Sequence, residues 1–279
     1  MCLWYDETFD DQSRLGLRVE KTLFSGQSDY QKIEVIDTVG FGRVLVIDNV
    51  FMTSEYDEFL YHEMLTQPAM TTAPSVERVL VIGGGDGGTV REVLRHPDVK
   101  QCVMIEIDRM VVDVCREHLP GIGTAWSDPR LDLRFIDGID YVKTSDDEKY
   151  DVILLDGTDP VGPGAMLFDE RFYEGCKRML APGGVMALQS ESPLLMLDVF
   201  IETQHKLRKL FEEVHPYMGP VPLYGTCTWS LTWCSDTGEP LRADPERQAA
   251  IVEGSKAYNP ELHRAIFALP NYVKRALKL

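Results

Sequence analysis

The sequence predicts an α/β protein: a mostly parallel sheet with helices on both faces, preceded by a small N-terminal antiparallel β-domain. Three observations lead there. The stretch from Val79 to Gly88 reads VLVIGGGDGG, a mostly β-branched apolar run that meets a glycine turn. From about Val76 onward, apolar runs alternate with stretches of helical periodicity. The successive runs end in an acid or an amide: Asp86, Glu106, Asp137, Asp156 and Gln189. The expected division is residues 1–54 for the β-domain and 55–279 for the α/β domain.

The elements follow in order. Residues 15–24 are strand-like, with Leu17 and Val19 facing inward, and residues 31–38 alternate through Ile33 and Val35. Gly40-Phe41-Gly42-Arg43 is a turn, and the apolar run 44–47 ends at Asp48-Asn49, a favourable turn pair. So small a unit buries little by itself and should pack on something else, a second subunit included. Residues 55–69 have helical spacing through Phe59, Leu60, Met64 and Leu65, with Pro68 and Pro74 closing the segment. In the α/β domain, strands are expected at 79–82, 103–107, 131–136, 152–155 and 185–188. Helices are expected at 89–95, 110–118, 168–180 and 197–211. Pro97 stops the first helix and Pro182-Gly183-Gly184 the third. The runs 214–221 and 228–234 suggest an antiparallel hairpin at the sheet edge.

Composition sets bounds. Apolar residues make up 44% of the 279, enough for a sizeable core. Twenty-eight basic and 45 acidic residues give a formal charge of −17, which repels nucleic acid; it could steer in a small polycation, but composition alone supports no more than a charge that keeps the protein soluble. No stretch has the length of a membrane span, and the acidic start MCLWYDETFDDQ is unlike a signal peptide. The six cysteines show no CxxC and no framework spacing, which favours a reducing cytoplasm.

In open α/β sheets, ligands bind beyond the carboxyl ends of the strands. The glycine turn lets a ligand lie against backbone, with N–H groups facing it at the helix start. Asp86 inside that turn would repel a pyrophosphate, so a cationic ligand such as a sulfonium or an amine fits better than NAD. The alternative is that Asp86 only caps the helix. Glu106, 18 residues after Gly88, stands where a carboxylate can grip both ribose hydroxyls of an adenosine. Asp137-Gly138 would lie near the adenine, unless it is an ordinary Asp-Gly turn. The run DGTDPVGP from Asp156 to Pro163 places two acids three apart in a rigid loop. Such carboxylates can hold an ammonium or take a proton from an attacking amine, which is mostly protonated at neutral pH. His62-Glu63 evokes a zinc motif, but Thr66 stands where the second His is needed, so no metal is expected. His205, His215 and His263 read as ordinary structural or surface residues.

Together these residues resemble the spermidine synthase family, the polyamine aminopropyltransferases. The likeness is carried by Ser28-Asp29-Tyr30-Gln31, Asp57-Glu58-Phe59, Tyr61-His62-Glu63-Met64, GGGDGG, Glu106-Ile107-Asp108, Asp137-Gly138 and DGTDPVGP with Leu167-Phe168. It continues through Gln189-Ser190-Glu191-Ser192-Pro193, Tyr258-Asn259-Pro260 and Phe267-Ala268-Leu269-Pro270. The resemblance implies a Rossmann-like sheet of the methyltransferase type and a homodimer or homotetramer with the β-domain in its interface. It implies transfer of the aminopropyl group of decarboxylated S-adenosylmethionine, a co-substrate rather than a cofactor, to putrescine. It makes Asp156 the proton acceptor. Asp159 and Tyr61 would hold the diamine with Gly157 and Thr158 beside it, and Tyr224 would close over it. Asp86 and His62 would lie near the aminopropyl and amine groups. Gln31, Glu106, Asp137, Gly138 and Pro163 would surround the methylthioadenosine part. The chain departs from the family pattern at Asn49, usually Gly; at Met52, often Gln; and at Thr158, often Ser or Cys.

The alternatives are another acceptor (agmatine, cadaverine, a triamine), a methyltransferase using intact S-adenosylmethionine, and a non-catalytic polyamine-binding protein. An NAD-dependent oxidoreductase is disfavoured by Asp86.

Overall fold

Alternating buried residues along short strands build two sheets. The computed structural model describes residues 3–9, 13–145, 149–158, 169–225 and 227–279. The first sheet is an antiparallel meander in the order β1 (Leu3–Phe9), β2 (Ser13–Gln27), β3 (Lys32–Thr38), β4 (Gly42–Ile47), β5 (Val50–Ser54). Asp48 and Asn49 form its last hairpin turn, both left-handed at φ 48° and 68°. Asp and Asn accept that conformation more readily than other non-glycine residues. One face of this sheet, through Ile33, Val35, Leu45 and Ile47, packs on Val111, Val114 and Cys115 of α3 (Arg109–His118). The β-domain thus packs on the α/β domain of its own chain.

The second sheet has the order β11-β12-β10-β9-β6-β7-β8. Its strands are β6 (Arg78–Gly83), β7 (Gln101–Glu106), β8 (Leu131–Phe135), β9 (Tyr150–Asp156), β10 (Leu180–Gln189), β11 (Glu213–Val221) and β12 (Cys227–Ser235). The strands β6 to β10 are mutually parallel, and β12 and β11 add the antiparallel edge hairpin. Successive side chains point to opposite faces, so Val79 and Val81 join one core and Leu80 and Ile82 the other. The first core is covered by α1 (Glu58–Thr72) and α2 (Gly88–Leu94). The second is covered by α4 (Gly138–Thr144), α5 (Glu170–Met179) and α6 (Leu197–Leu210). Val79, Leu80 and Val81 have no exposed surface, and burying each such side chain contributes about 1.5–3 kcal/mol. The chain runs outward from β6 to β8 and then crosses to β9 on the other side of β6. That reversal is a topological switch point, where the C-terminal strand ends splay and a ligand can enter.

Two expectations are corrected. Pro68 does not close α1, which runs on to Thr72 with Pro68 inside it. Proline removes the amide that would reach Met64 O, and the Tyr217 hydroxyl donates to that oxygen instead, at 2.9 Å. Pro182, Gly183 and Gly184 do not separate α5 from a later strand. They lie within β10, whose pairing with β9 shifts register between Leu180 and Val185. Three short C-terminal helices had no counterpart in the sequence reading: α7 (Pro245–Val252), α8 (Pro260–Ala265) and α9 (Asn271–Leu277).

Candidate active site

The glycine turn joins β6 to α2, and its glycines answer to different neighbours. Gly83 (φ +84°) presses on the adjacent strand: a Cβ there would lie 2.2 Å from Asp156 O. At Gly85 it would meet Val111 at 2.7 Å and the Glu106 carboxylate at 3.0 Å. At Gly87 (φ +81°) it would run into Trp126 at 2.4 Å, and at Gly88 into the His62 ring at 2.2 Å. Three of the amides between β6 and α2 are taken up within the protein. The amides of Gly84, Gly87 and Gly88 donate to Asp156 O (2.9 Å), Gly84 O (2.8 Å) and Asp86 Oδ1 (2.7 Å).

A cleft of about 1320 Å³ opens at the switch point, lined by the turn and by both sheets. It brings together Gln31, Tyr61, His62, Asp86, Glu106, Asp137, Gly138, Asp156, Gly157, Thr158 and Tyr224. Asp159 and Pro163 lie outside the described residues.

Asp156 ends β9, the strand beside β6. Its Oδ1 accepts the Tyr61 hydroxyl at 2.9 Å and its Oδ2 the Thr89 hydroxyl at 2.6 Å. Burial and the charge of Asp86 hold its pKa above the usual carboxylate range. Asp86 accepts the Gly88 amide, as the capping alternative expected, and also faces His62 Nε2 at 3.3 Å. Burial pushes the Asp86 pKa up, but the His62 charge outweighs it and the pKa falls. Thr89 drew no attention in the sequence; a hydroxyl in the first turn of a helix is an ordinary feature there.

Glu106 ends β7. Its Oε1 accepts the Asp108 amide at 2.9 Å. Burial, with Asp108 nearby, raises its pKa to about 7. Asp137 caps α4 by accepting the Ile139 amide at 2.7 Å, yet it lines the cleft as well. The β-domain reaches the site through a contact that was not foreseen. Asp108 accepts the Ser28 hydroxyl (2.6 Å) and the Gln31 amide group (3.1 Å), which fixes the loop carrying Gln31 against the start of α3.

Tyr224 stands in the β11–β12 turn. Its hydroxyl donates to Met52 O at 2.7 Å, and its ring meets Tyr61 at 5.9 Å and Trp229 at 4.7 Å between centroids. Asp57, just before α1, accepts the Leu223 amide at 2.9 Å and steadies that turn. Beyond Tyr224 lies a smaller pocket of about 420 Å³, whose lining adds Glu7, Phe9, Gln189 and Trp229. Glu7 was missed. Its signal was an acid on the same face of a β-strand as Tyr5 and Phe9.

The cleft therefore joins an end lined by Glu106 and Asp137 to one lined by Asp86 and Asp156, with Glu7 in the adjoining smaller pocket. Such a site can hold cationic groups, and its half-buried carboxylates can accept a proton. Among the described residues, no group of three or more His, Cys, Asp or Glu is arranged to hold a metal ion.

Comparison with known proteins agrees with this geometry. A family model described as spermine/spermidine synthase domain matches residues 58–243, and one described as spermidine synthase tetramerisation domain matches residues 3–55. The chain is 45% identical over 277 residues to a polyamine aminopropyltransferase of Prochlorococcus marinus, covering 98% of this chain and 96% of that one. It is 41% identical over 282 residues to one of Clostridium perfringens, covering 100% and 99%. Among solved structures, a spermidine synthase in complex with the transition state analogue AdoDATO superposes with a TM-score of 0.95 at 37% identity, covering 99% and 95%. The spermidine synthase of Thermotoga maritima gives 0.94 at 37%, covering 99% and 94%. On its motifs, its fold and these likenesses, the chain belongs to the spermine/spermidine synthase family.

Proposed function

We propose that this protein is a polyamine aminopropyltransferase that moves the aminopropyl group of decarboxylated S-adenosylmethionine to putrescine, yielding spermidine and methylthioadenosine. The observation that carries the reading is that Asp86, in the turn after β6, and Asp156, at the end of the neighbouring strand β9, line one cleft. Glu106 takes the ribose hydroxyls, and Asp137, Gly138 and Gln31 surround the adenine. Asp86 holds the ammonium of the aminopropyl arm, with His62 behind it. Tyr61, Gly157 and Thr158 line the path of the diamine, and Tyr224 closes over it. Glu7 and Gln189 face its far amine. The roles of Asp159 and Pro163 rest on the resemblance alone.

The attacking amine loses a proton to Asp156. Its lone pair forms the new C–N bond, and the C–S bond breaks with its electron pair returning to sulfur. The sulfonium becomes a neutral thioether, so the reaction requires no cofactor. Intact S-adenosylmethionine would set its carboxylate against Asp86, a like-charge contact that disfavours methyl transfer. The protein is further read as a cytoplasmic homodimer or homotetramer, with exposed Leu3 and Trp4 of the β-domain suited to an interface.

The test is incubation with decarboxylated S-adenosylmethionine and a panel of amines, with methylthioadenosine and polyamine products read by mass spectrometry. Spermidine from putrescine is expected. Donor binding without product from any amine would leave a binding protein, and a methylated product would mean a methyltransferase.

A further inference from the structure

His62 is held at both ring nitrogens by carboxylates: Nδ1 lies 2.7 Å from Glu58 Oε2 and Nε2 lies 3.3 Å from Asp86 Oδ2. A neutral imidazole has one N–H, so one of these contacts would set a ring lone pair against a carboxylate oxygen. Only the imidazolium can donate to both. The ring is almost wholly buried, as is Glu58. The arrangement continues away from the cleft. Arg91 grips Glu58 with both terminal nitrogens, at 3.1 and 2.8 Å, and its Nε reaches Glu92 Oε1 at 2.9 Å. Arg95 meets Glu92 Oε2 at 2.5 Å. Charges alternate in sign from Asp86 through His62, Glu58, Arg91 and Glu92 to Arg95.

We propose that Glu58, which does not line the cleft, is a positioning residue for aminopropyl transfer: it keeps His62 as an imidazolium, and that charge lets Asp86 and Asp156 both stay ionised side by side. The inference rests on the assignment of Asp156 as proton acceptor made above. Two half-buried carboxylates, one in the turn after β6 and one at the end of β9, oppose each other's ionisation. The imidazolium between α1 and the glycine turn offsets this. The groups facing His62 are Glu58 and Tyr61 from α1, Asp86 from the turn, Arg91 from α2 through Glu58, and Asp156 from β9. Their balance agrees with the geometry. Burial alone would lower the His62 pKa, but Asp86 and Glu58 raise it well above the ordinary value. Glu58 itself, despite burial, is drawn down to about 2 by His62 and Arg91.

The test is Glu58→Gln, which keeps the shape and removes the charge, compared with Glu58→Asp and the unaltered protein by kcat/KM between pH 6 and 9. With Gln, His62 loses a counter-charge and its proton, and Asp86 and Asp156 come to share one. The acid limb of the profile then moves up by about one pH unit. Activity falls about tenfold at pH 7 and recovers to within about twofold near pH 9, whereas Glu58→Asp keeps most of the original profile. An equal loss at every pH, or no change, would overturn the proposal. Nitrogen NMR of histidine-labelled protein supplies a readout that does not need the variant to fold. In the unaltered enzyme, both His62 ring nitrogens should carry protons through pH 8, and a neutral ring at pH 7 would overturn the proposal by itself. That signal reports on His62 whether or not Asp156 is the base; full turnover in Asp156→Asn would sink the Asp156 assignment instead.

Discussion

The Tyr61 hydroxyl donates to Asp156 Oδ1 at 2.9 Å, while Thr89 holds the other oxygen at 2.6 Å. The carboxylate is therefore oriented by two neighbours from two helices, α1 and α2. Asp156→Asn keeps the size and most of these contacts but removes the proposed proton acceptor. Turnover should fall by about 10²–10⁴, the usual worth of a positioned base. Donor affinity should stay within a few-fold, measured by calorimetry beside methylthioadenosine release. Tyr61→Phe leaves the base and loses one orienting bond, so its cost should be near tenfold. A larger loss from Tyr61→Phe than from Asp156→Asn would reverse the two roles.

Glu106 should show a conflict between function and stability. Its carboxyl is raised to about 7, first by burial. A carboxyl raised in the folded state favours folding while protonated. That stabilisation is complete below the unfolded pKa near 4.5 and is lost as pH rises through about 7. Glu106→Gln removes the cost of the buried charge. The variant should exceed the parent in stability at pH 8 by up to about 3 kcal/mol, and match it near pH 4.5. It should bind the donor about tenfold or more weakly, because a carboxylate accepts both ribose hydroxyls better than an amide. In the parent, donor affinity should fall as pH drops below 7, since the hydroxyls favour the ionised form. Denaturation and donor titration at the two pH values test both halves.

What the sequence disclosed was local in character. The run from Val79 to Ile82, the glycines after it and the acids at the strand ends are short patterns, and the sheet followed from them. What stayed hidden depended on residues far apart in the chain. Gly87 and Gly88 read as ligand contacts, yet they make room for Trp126 and His62. Glu58 stood in a recognised motif, but its reach to both His62 and Arg91 needed α1 and α2 side by side. Glu7 belongs to β1 and reaches the site only because the β-domain folds over the end of the sheet.

Gly88→Ala tests the first of these points. Its Cβ would lie 2.2 Å from the His62 ring, which is buried and fixed at both nitrogens. The ring cannot swing aside without breaking a charged contact. The variant should lose about 2–4 kcal/mol of stability through overpacking and the disturbed ion pair. Gly121→Ala, where a Cβ meets nothing within 4 Å, is the control and should be near neutral. Comparable melting temperatures for the two variants would mean that the His62 ring moves freely.

Pro68 and Tyr217 offer a double-mutant cycle. The Tyr217 hydroxyl serves Met64 O, the carbonyl that proline leaves without an amide donor. Tyr217→Phe leaves that carbonyl buried and unpaired and should cost about 1–3 kcal/mol. In a Pro68→Ala background the helix regains its own amide at position 68, and the cost of Tyr217→Phe should shrink by about 1 kcal/mol or more. Additive effects in urea denaturation would show that the hydroxyl does not replace the missing amide.

Glu7 gives the sharpest test of where the acceptor ends. Its Oε2 accepts the Phe51 amide at 2.8 Å, and the residue lines the pocket beyond Tyr224 with Gln189 and Trp229. Glu7→Gln can keep the Phe51 bond through its amide oxygen while removing the charge proposed to face the far ammonium of a diamine. The KM for putrescine should rise about tenfold or more, as expected for a lost charged hydrogen bond. Donor affinity should not change, because Glu106 and Asp137 lie at the opposite end of the cleft. The decisive comparison is with butylamine, which has the same carbon chain and no second amine. The parent enzyme should use it poorly, and Glu7→Gln should leave that poor activity as it is. If the substitution weakened butylamine and putrescine by the same factor, Glu7 would be supporting the β-domain rather than reading the acceptor.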